Sequence, residues 1–266
     1  MLNLRPDLKK MFPGPDPKVF DTIMNLQGDA YRDLDSRRTI RVILDGHGYF
    51  AKLHFGVGWR EIFKNFIHLR LPVIGARTEW LAIQRFEELG VATMSIAGFG
   101  ERGLNPAGRQ SFLITDELAE TISLEDYCRP WPDAPPSPRF KRSLIEKVAG
   151  MTRQLHENGV NHRDLYICHF LIKEASAKSD APPEQIDLFI IDLHRVQIRS
   201  NTPRRWMVKD VAGLHFSSMD IGLTRRDQFR FMKLYCGQPL RELLSQRQGF
   251  WKAVERKAMQ LYQKPC

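Results

Sequence analysis

The chain has 266 residues, 42% hydrophobic and 27% charged, near the globular average and enough for a substantial core in one large domain or two closely packed lobes. Forty Lys and Arg against 31 Asp and Glu leave a formal charge of +9, which favours anionic partners: nucleic acid, acidic lipid head groups, phosphorylated sugars or an acidic protein. No run approaches the roughly 18 apolar residues of a spanning helix, and the opening MLNLRPDLKKMF lacks the apolar centre of a secretory signal. Four scattered cysteines (Cys128, Cys168, Cys236, Cys266) make no C-x-x-C pair, so neither a disulfide framework nor a zinc site is expected, and the setting read from them is reducing and cytosolic.

In chain order, Arg38–His54 reads as two strands around Asp45-Gly46-His47-Gly48, a hairpin signal. A basic stretch follows, with a short helix expected over Trp59–Leu69. A second helix is expected over Thr78–Leu89, with Leu81, Ala82, Phe86 and Leu89 on one face, Glu79 near its edge and Gly90 as the stop. Strands are expected at Ala92–Phe99 and Ser111–Thr115. RPWPDAPPSP, with five prolines in ten residues, must be a loop. In the helix that follows, Leu144, Val148, Met151 and Leu155 recur at helical spacing up to Gly159. His169–Ile172 and Ile186–Ile191 read as buried strands around the polar insert KEASAKSDAPPEQ. On such a strand Cys168 and His169 would point to opposite faces. From Pro203 onward the pattern is of basic amphipathic helices. The order is β-rich and then α-rich, an α+β chain of two lobes, 1–116 and 117–266.

The chemistry gathers around His162-Arg163-Asp164-Leu165, followed after three residues by His169. Protein-kinase catalytic loops run His-Arg-Asp-Leu-x-x-x-Asn. Phosphoryl transfer asks for a cation on the nucleotide phosphates, carboxylates for a divalent metal, and a base at the acceptor hydroxyl. Lys52 lies on the second hairpin strand, YFAKLH, and Glu79 opens the next suitable helix. Asp164 follows a helix and a glycine and precedes a strand. Asp192 ends the apolar strand DLFII, where a poorly solvated carboxylate is more often a ligand or an anchor. Singly each has a bland alternative: a snorkelling lysine, helix-dipole complementarity, a common tripeptide. In this order, each on the expected element, they form a specific pattern.

The strings NHRDLYICHFL (Asn161–Leu171), IIDLHRVQ (Ile190–Gln197), PRRWMVKDVAGL (Pro203–Leu214), FSSMDIGLTRRD (Phe216–Asp227) and LPVIGARTEW (Leu71–Trp80) resemble the lipopolysaccharide core heptose(I) kinases of Gram-negative bacteria, a branch of the protein-kinase-like fold. RRTIRV and YFAKLH fit as well, so the resemblance extends over nearly the whole chain. It implies a bilobal kinase fold and ATP-dependent phosphorylation of the first heptose of the inner core, carried on lipid A, with Mg²⁺ or Mn²⁺. The implied location is peripheral, at the cytoplasmic face of the inner membrane. By position, Lys52 would contact the α- and β-phosphates, held by Glu79, and Thr115–Leu118, through Glu117 and Leu118, would read adenine. Asp164 would be the base, Asp192 and His169 the metal-side residues, and His162 and Asp210 the support of the catalytic loop. Implied partners are the lipid A–core glycolipid, an anionic membrane surface reached through Arg60–Arg70, Arg204–Lys209 and Arg225–Lys233, and a small acidic protein; no nucleic acid is expected.

Several positions depart from the general kinase pattern. DLDSRR replaces a glycine-rich turn, so amides there with Arg37 or Arg38 would have to meet phosphate. Phe50 stands where V-A-I-K has its alanine, which narrows or tilts an adenine pocket. Asp-Phe-Gly becomes Asp192-Leu193-His194 and no Ala-Pro-Glu follows, which suits a constitutively assembled metabolic kinase better than a switched one. Imidazole at His169 disfavours Mg²⁺, which prefers oxygen, and suits Mn²⁺ better. Two alternatives stay open: a protein (tyrosine) kinase, and a kinase-like protein that binds lipopolysaccharide intermediates without turnover.

Overall fold

The structure, a computed structural model, describes residues 1–34, 36–59, 75–177, 182–239, 241–242, 245 and 247–263. All but Trp59 of the helix expected over Trp59–Leu69, the segment Arg60–Arg70, the LPVI of LPVIGARTEW, Asp35 and residues 178–181 of the polar insert lie outside the described residues. The chain divides into two compact units, Met1–Arg85 with Met94–Ala119, and Phe86–Thr93 with Glu120–Cys266.

The first unit contains β1 (Leu2–Leu4), α1 (Pro6–Met11), α2 (Asp16–Met24), β2 (Asp29–Leu34), β3 (Arg37–Leu44), β4 (His47–His54), most of α3 (Arg77–Glu88), β5 (Ile96–Arg102) and β6 (Gln110–Asp116). Its strands form one antiparallel sheet in the order β1-β5-β6-β4-β3-β2. The β3–β4 turn has positive φ at Asp45 (49°) and Gly46 (77°), the pair of left-handed residues that suits the twist of a two-residue hairpin. Alternation sends Ile40, Val42, Tyr49, Ala51, Leu53, Phe112 and Ile114 to a core shared with α1 and α2 through Leu8, Phe20 and Ile23. Phe112 alone, fully buried, is worth about 2–3 kcal/mol of apolar transfer. Lys52 and Phe50 occupy the alternate positions of β4 and face away from that core.

Helix α3 corrects one expectation. It buries Glu79, Trp80, Ala82, Ile83 and Phe86, whereas Leu81 is 42% exposed. Glu79 is therefore inside the buried stripe, not at its edge, and Trp80 fixes the rotation by stacking on Phe99 with centroids 4.5 Å apart. The strand expected over Ala92–Phe99 begins only at Ile96.

The second unit contains β7 (Thr121–Ser123), α4 (Leu124–Cys128), α5 (Pro138–Glu157), β8 (Val160–Asn161), β9 (Phe170–Lys173), β10 (Leu188–Ile190), β11 (Gln197–Ile198), α6 (Arg204–Ser217), α7 (Arg225–Cys236) and α8 (Gln248–Tyr262). Leu144, Val148, Met151 and Leu155 of α5 are all buried, as their spacing predicts. Ala149 of α5, Val211 and Ala212 of α6, Tyr235 of α7 and Phe250, Val254 and Ala258 of α8 form a helical core. Two small antiparallel sheets, β10-β9-β7 and β11-β8, flank the His162–His169 segment. That segment ends in a 3₁₀ turn, Ile167–His169, so His169 is not on the strand expected for it and β9 starts at Phe170. No helix among the described residues is long and apolar enough to cross a membrane.

Candidate active site

In the first unit, the Lys52 ammonium donates to Glu79 Oε1 at 2.5 Å. Glu79 is 2% exposed, and a carboxylate so buried is tolerable only because it is paired. The hairpin register sets Lys52 between Thr39 and Leu113, and the first turn of α3 delivers Glu79. Phe50, two residues earlier on the same face, meets Tyr31 edge-on at 5.1 Å. Glu117 is committed locally: its N–H donates to the Gly48 carbonyl at 2.9 Å, and its carboxylate accepts from Arg41 Nε (2.7 Å) and Nη2 (2.9 Å). A Cβ on Gly48 would collide with that carboxylate, so a larger residue there would push the Glu117 side chain aside. Leu118 follows, half-buried.

In the second unit, α6 presents Asp210 and, two turns on, Ser217 to the His162–His169 loop. Asp210, 1% exposed, accepts from the N–H of His162 (2.6 Å) and of Arg163 (2.7 Å) through different oxygens. His156 Nε2 adds a contact at 3.3 Å, and the Tyr235 hydroxyl lies 2.7 Å from His156 Nδ1. Ser217 Oγ accepts from the Ile167 N–H at 3.0 Å. His162 Nε2–H donates to the Ile191 carbonyl at 3.0 Å, which ties the loop to the residue before Asp192. Arg163 (φ 76°) and Asp192 (φ 62°) are both left-handed, a strain of order 1–3 kcal/mol each that the surrounding bonds must hold.

Asp164 accepts from Arg195 Nη1 at 2.8 and 3.0 Å, and Lys209 Nζ lies 3.6 Å away. Its carbonyl accepts from His169 Nδ1–H at 2.7 Å, which aims Nε2 at Asp192 Oδ2, 3.6 Å away. His194 Nδ1 lies 2.5 Å from the other Asp192 oxygen. Sequence reasoning missed Arg195, His194, Lys209's contact and Ser217. Arg195 sits 31 residues from its partner, with no motif to announce it. A further correction concerns Cys168: it lies with His169 on a 3₁₀ turn rather than on a strand, so the alternation that would send the two side chains to opposite faces does not apply.

Among the described residues no three His, Cys, Asp or Glu side chains gather to hold a metal alone. Asp192 and His169 converge as a pair, which suits an ion completed by phosphate oxygens and water. Burial opposes protonation of His169, but its bonds to Cys168 and the Asp164 carbonyl and the charge of Asp192 outweigh it and hold its pKa at about 9. Burial does prevail at His162, whose pKa is lowered and whose Nδ1 has no partner, and at His215.

These opposite shifts predict a stability maximum near pH 6.5 in the metal-free protein. Below that pH the unfolded chain takes up protons that folded His162 and His215 refuse, so stability falls on acidification by up to about 1.4 kcal/mol per pH unit for each histidine. From pH 6.5 to about 8.5 the folded protein holds the His169 proton that the unfolded chain releases, so stability falls as pH rises. Denaturant titrations from pH 5.5 to 8.5 should show both limbs, with the alkaline one flattened in His169→Asn. A profile with no maximum contradicts the assignment.

The second unit also carries a half-open apolar pocket of about 350 Å³, lined by Leu144, Val148, Leu214, Phe231, Trp251 and Val254 among others.

A Lys–Glu pair joining strand to helix, and a His-Arg-Asp loop braced by a buried helix carboxylate, belong to the architecture of kinase-type phosphotransferases. Comparison with known proteins agrees. Residues 21–235 match the lipopolysaccharide kinase (Kdo/WaaP) family. The chain is 50% identical over 265 residues to the lipopolysaccharide core heptose(I) kinase WaaP of Pseudomonas aeruginosa, covering 99% of this chain and 96% of that one. It is 49% identical over 258 residues to the enzyme of the same name from Escherichia coli K12, covering 97% and 96%. A solved structure described as WaaP in complex with acyl carrier protein superposes with a TM-score of 0.83 at 45% identity, covering 99% of this chain and all of that one. The protein is therefore an α+β, kinase-like phosphotransferase. It belongs to the lipopolysaccharide kinase (Kdo/WaaP) family.

Proposed function

We propose that the protein transfers the γ-phosphoryl group of ATP to a hydroxyl of the first heptose of the lipopolysaccharide inner core. The observation that carries this reading is identity of about half, over almost the whole chain, to enzymes named for that reaction. In the transfer, the heptose oxygen bonds to the γ-phosphorus as the bond to the β–γ bridging oxygen breaks. The hydroxyl proton passes to the Asp164 carboxylate, and ADP leaves. Asp164 is positioned by its loop and by Arg195, and Lys52, held by Glu79, neutralises the α- and β-phosphates. Glu117 and Leu118 would border the adenine. The Glu117 carboxylate and N–H are held by Arg41 and the Gly48 carbonyl, which fixes this segment beside the base.

A divalent cation, when bound, would supply further charge neutralisation at the phosphates; Asp192 and Nε2 of His169 are the residues that would hold it. Imidazole favours Mn²⁺ over Mg²⁺ relative to the usual amide oxygen. His169→Asn should therefore keep substantial activity and shift preference towards Mg²⁺, whereas His169→Ala should raise the metal requirement about tenfold or more. Initial rates against both metals test this, and three superimposable curves would reduce His169 to packing.

The relative solved with acyl carrier protein makes a small acidic protein the natural partner for a chain of charge +9, and the apolar pocket is of a size and polarity to accept an acyl chain that such a partner carries. The same surplus charge favours peripheral docking on an anionic inner-membrane surface, facing the cytoplasm. Both associations should be strong at low salt and fade towards about 0.5 M, where screening reaches only a few ångströms. Salt-insensitive binding would contradict the electrostatic part.

The reading as a whole is tested by offering radiolabelled ATP with dephosphorylated core glycolipid and, separately, protein acceptors. Label should appear in the glycolipid. Label confined to protein would favour the tyrosine-kinase alternative.

A further inference from the structure

Around Asp164 the charges do not balance. Arg195 and Lys209 reach its carboxylate at 2.8 and 3.6 Å. One indole, Trp206, carries three cations, with Arg163, Arg205 and Lys209 at 5.0, 5.3 and 5.9 Å from its ring centroid. Two carboxylates, Asp164 and Asp210, thus offset only part of the charge of Arg163, Arg195, Arg205 and Lys209, and Asp210 turns both its oxygens to backbone amides and His156. Cation–π attraction at exposed sites is too weak to account for this crowding of cations. Burial, together with Arg195 next to Arg163, and Arg195 and Arg163 next to Lys209, lowers the pKa of both, against the pull of Asp164. Arg163 Nε is buried without a partner. Two of the four, Arg205 and Lys209, come from the first turns of α6, and Arg163 is turned into place by its left-handed backbone.

We propose that Arg163, Arg195, Arg205 and Lys209 form a binding site for an anionic group, a carboxylate or a phosphate, carried by the acceptor saccharide beside the hydroxyl that Asp164 addresses. The inference rests on the glycolipid-kinase reading and deepens it. Guanidinium forks match carboxylate and phosphate geometry bidentately, and a half-buried setting strengthens charge-assisted bonds. The surplus cations repel one another until the anion arrives, so the site discriminates an acidic saccharide from a neutral one of the same shape.

Arg205→Gln and Lys209→Gln remove charge from α6 without touching the loop backbone. With native acceptor each should raise the acceptor KM about tenfold, the worth of one charge-assisted bond, and leave the KM for ATP unchanged. Two further acceptors, one with carboxylates amidated and one with phosphates removed, identify the group. On the acceptor that lacks the recognised anion, wild type shows the raised KM and the variants add nothing. Equal effects of the variants on all three acceptors, or effects on the KM for ATP instead, overturn the proposal. An activity-free readout separates it from the function reading: inorganic sulfate should raise the melting temperature of wild type more than that of the double variant Arg205→Gln/Lys209→Gln. If no glycolipid is turned over but sulfate still discriminates the two proteins, the anion site stands and the acceptor assignment fails. Identical sulfate responses sink the site itself.

Discussion

Asp164→Asn should lower kcat by about 100-fold or more while leaving nucleotide affinity nearly unchanged. An amide of the same shape keeps the loop geometry but cannot take the hydroxyl proton, and it loses the ion pair with Arg195. The fold should tolerate the change, because what holds this loop is the set of bonds to Asp210, Ser217 and Ile191, none of which uses the Asp164 side chain. Circular dichroism and nucleotide titration alongside the rate separate lost chemistry from lost structure. Near wild-type turnover would remove Asp164 from the mechanism.

Asp210→Ala should act on stability first. The substitution leaves the N–H groups of His162 and Arg163 without acceptors in a buried or half-buried setting and takes one of two partners from His156. Breaking such a buried charged network costs about 3–5 kcal/mol, and the strained Arg163 backbone loses the bond that holds it. Asp210→Asn should recover little, because the two amides use different carboxylate oxygens and the –NH₂ group would face one of them donor to donor. Urea unfolding measures the difference, and turnover should fall with it. A loss under about 1 kcal/mol would mean that the loop is held by other groups.

Much of the candidate site was legible because its parts sit on elements with strong local signals. The Asp45-Gly46 turn fixes the hairpin and so the face of Lys52, and the periodicity of α5 ends at Gly159, just before the loop. The order Lys52, Glu79, Asp164, Asp192 carried the kinase reading, and the longer strings carried the family. The amino-terminal elements were not legible. β1 has three residues and pairs with Leu4↔Gly98 and its neighbours across almost a hundred positions, and α1 has six residues, too few for a period to show. Leu81 was placed on the wrong face because hydropathy alone favours it over Glu79, and only the contact with Lys52 explains why a carboxylate is buried. Arg195 and Arg41 take their roles from partners 31 and 76 residues away, which spacing does not encode.

One experiment tests the proposed phosphorylation of the first heptose through Asp164 without intermediaries. The most direct measurement incubates purified protein with ATP, a divalent metal and core glycolipid lacking phosphate on that sugar, and then locates the new phosphate by fragmentation mass spectrometry. A single phosphate is expected on the first heptose with wild type, and none above background with Asp164→Asn. Phosphate on another sugar or on protein alone, or an equal yield from Asp164→Asn, would contradict it.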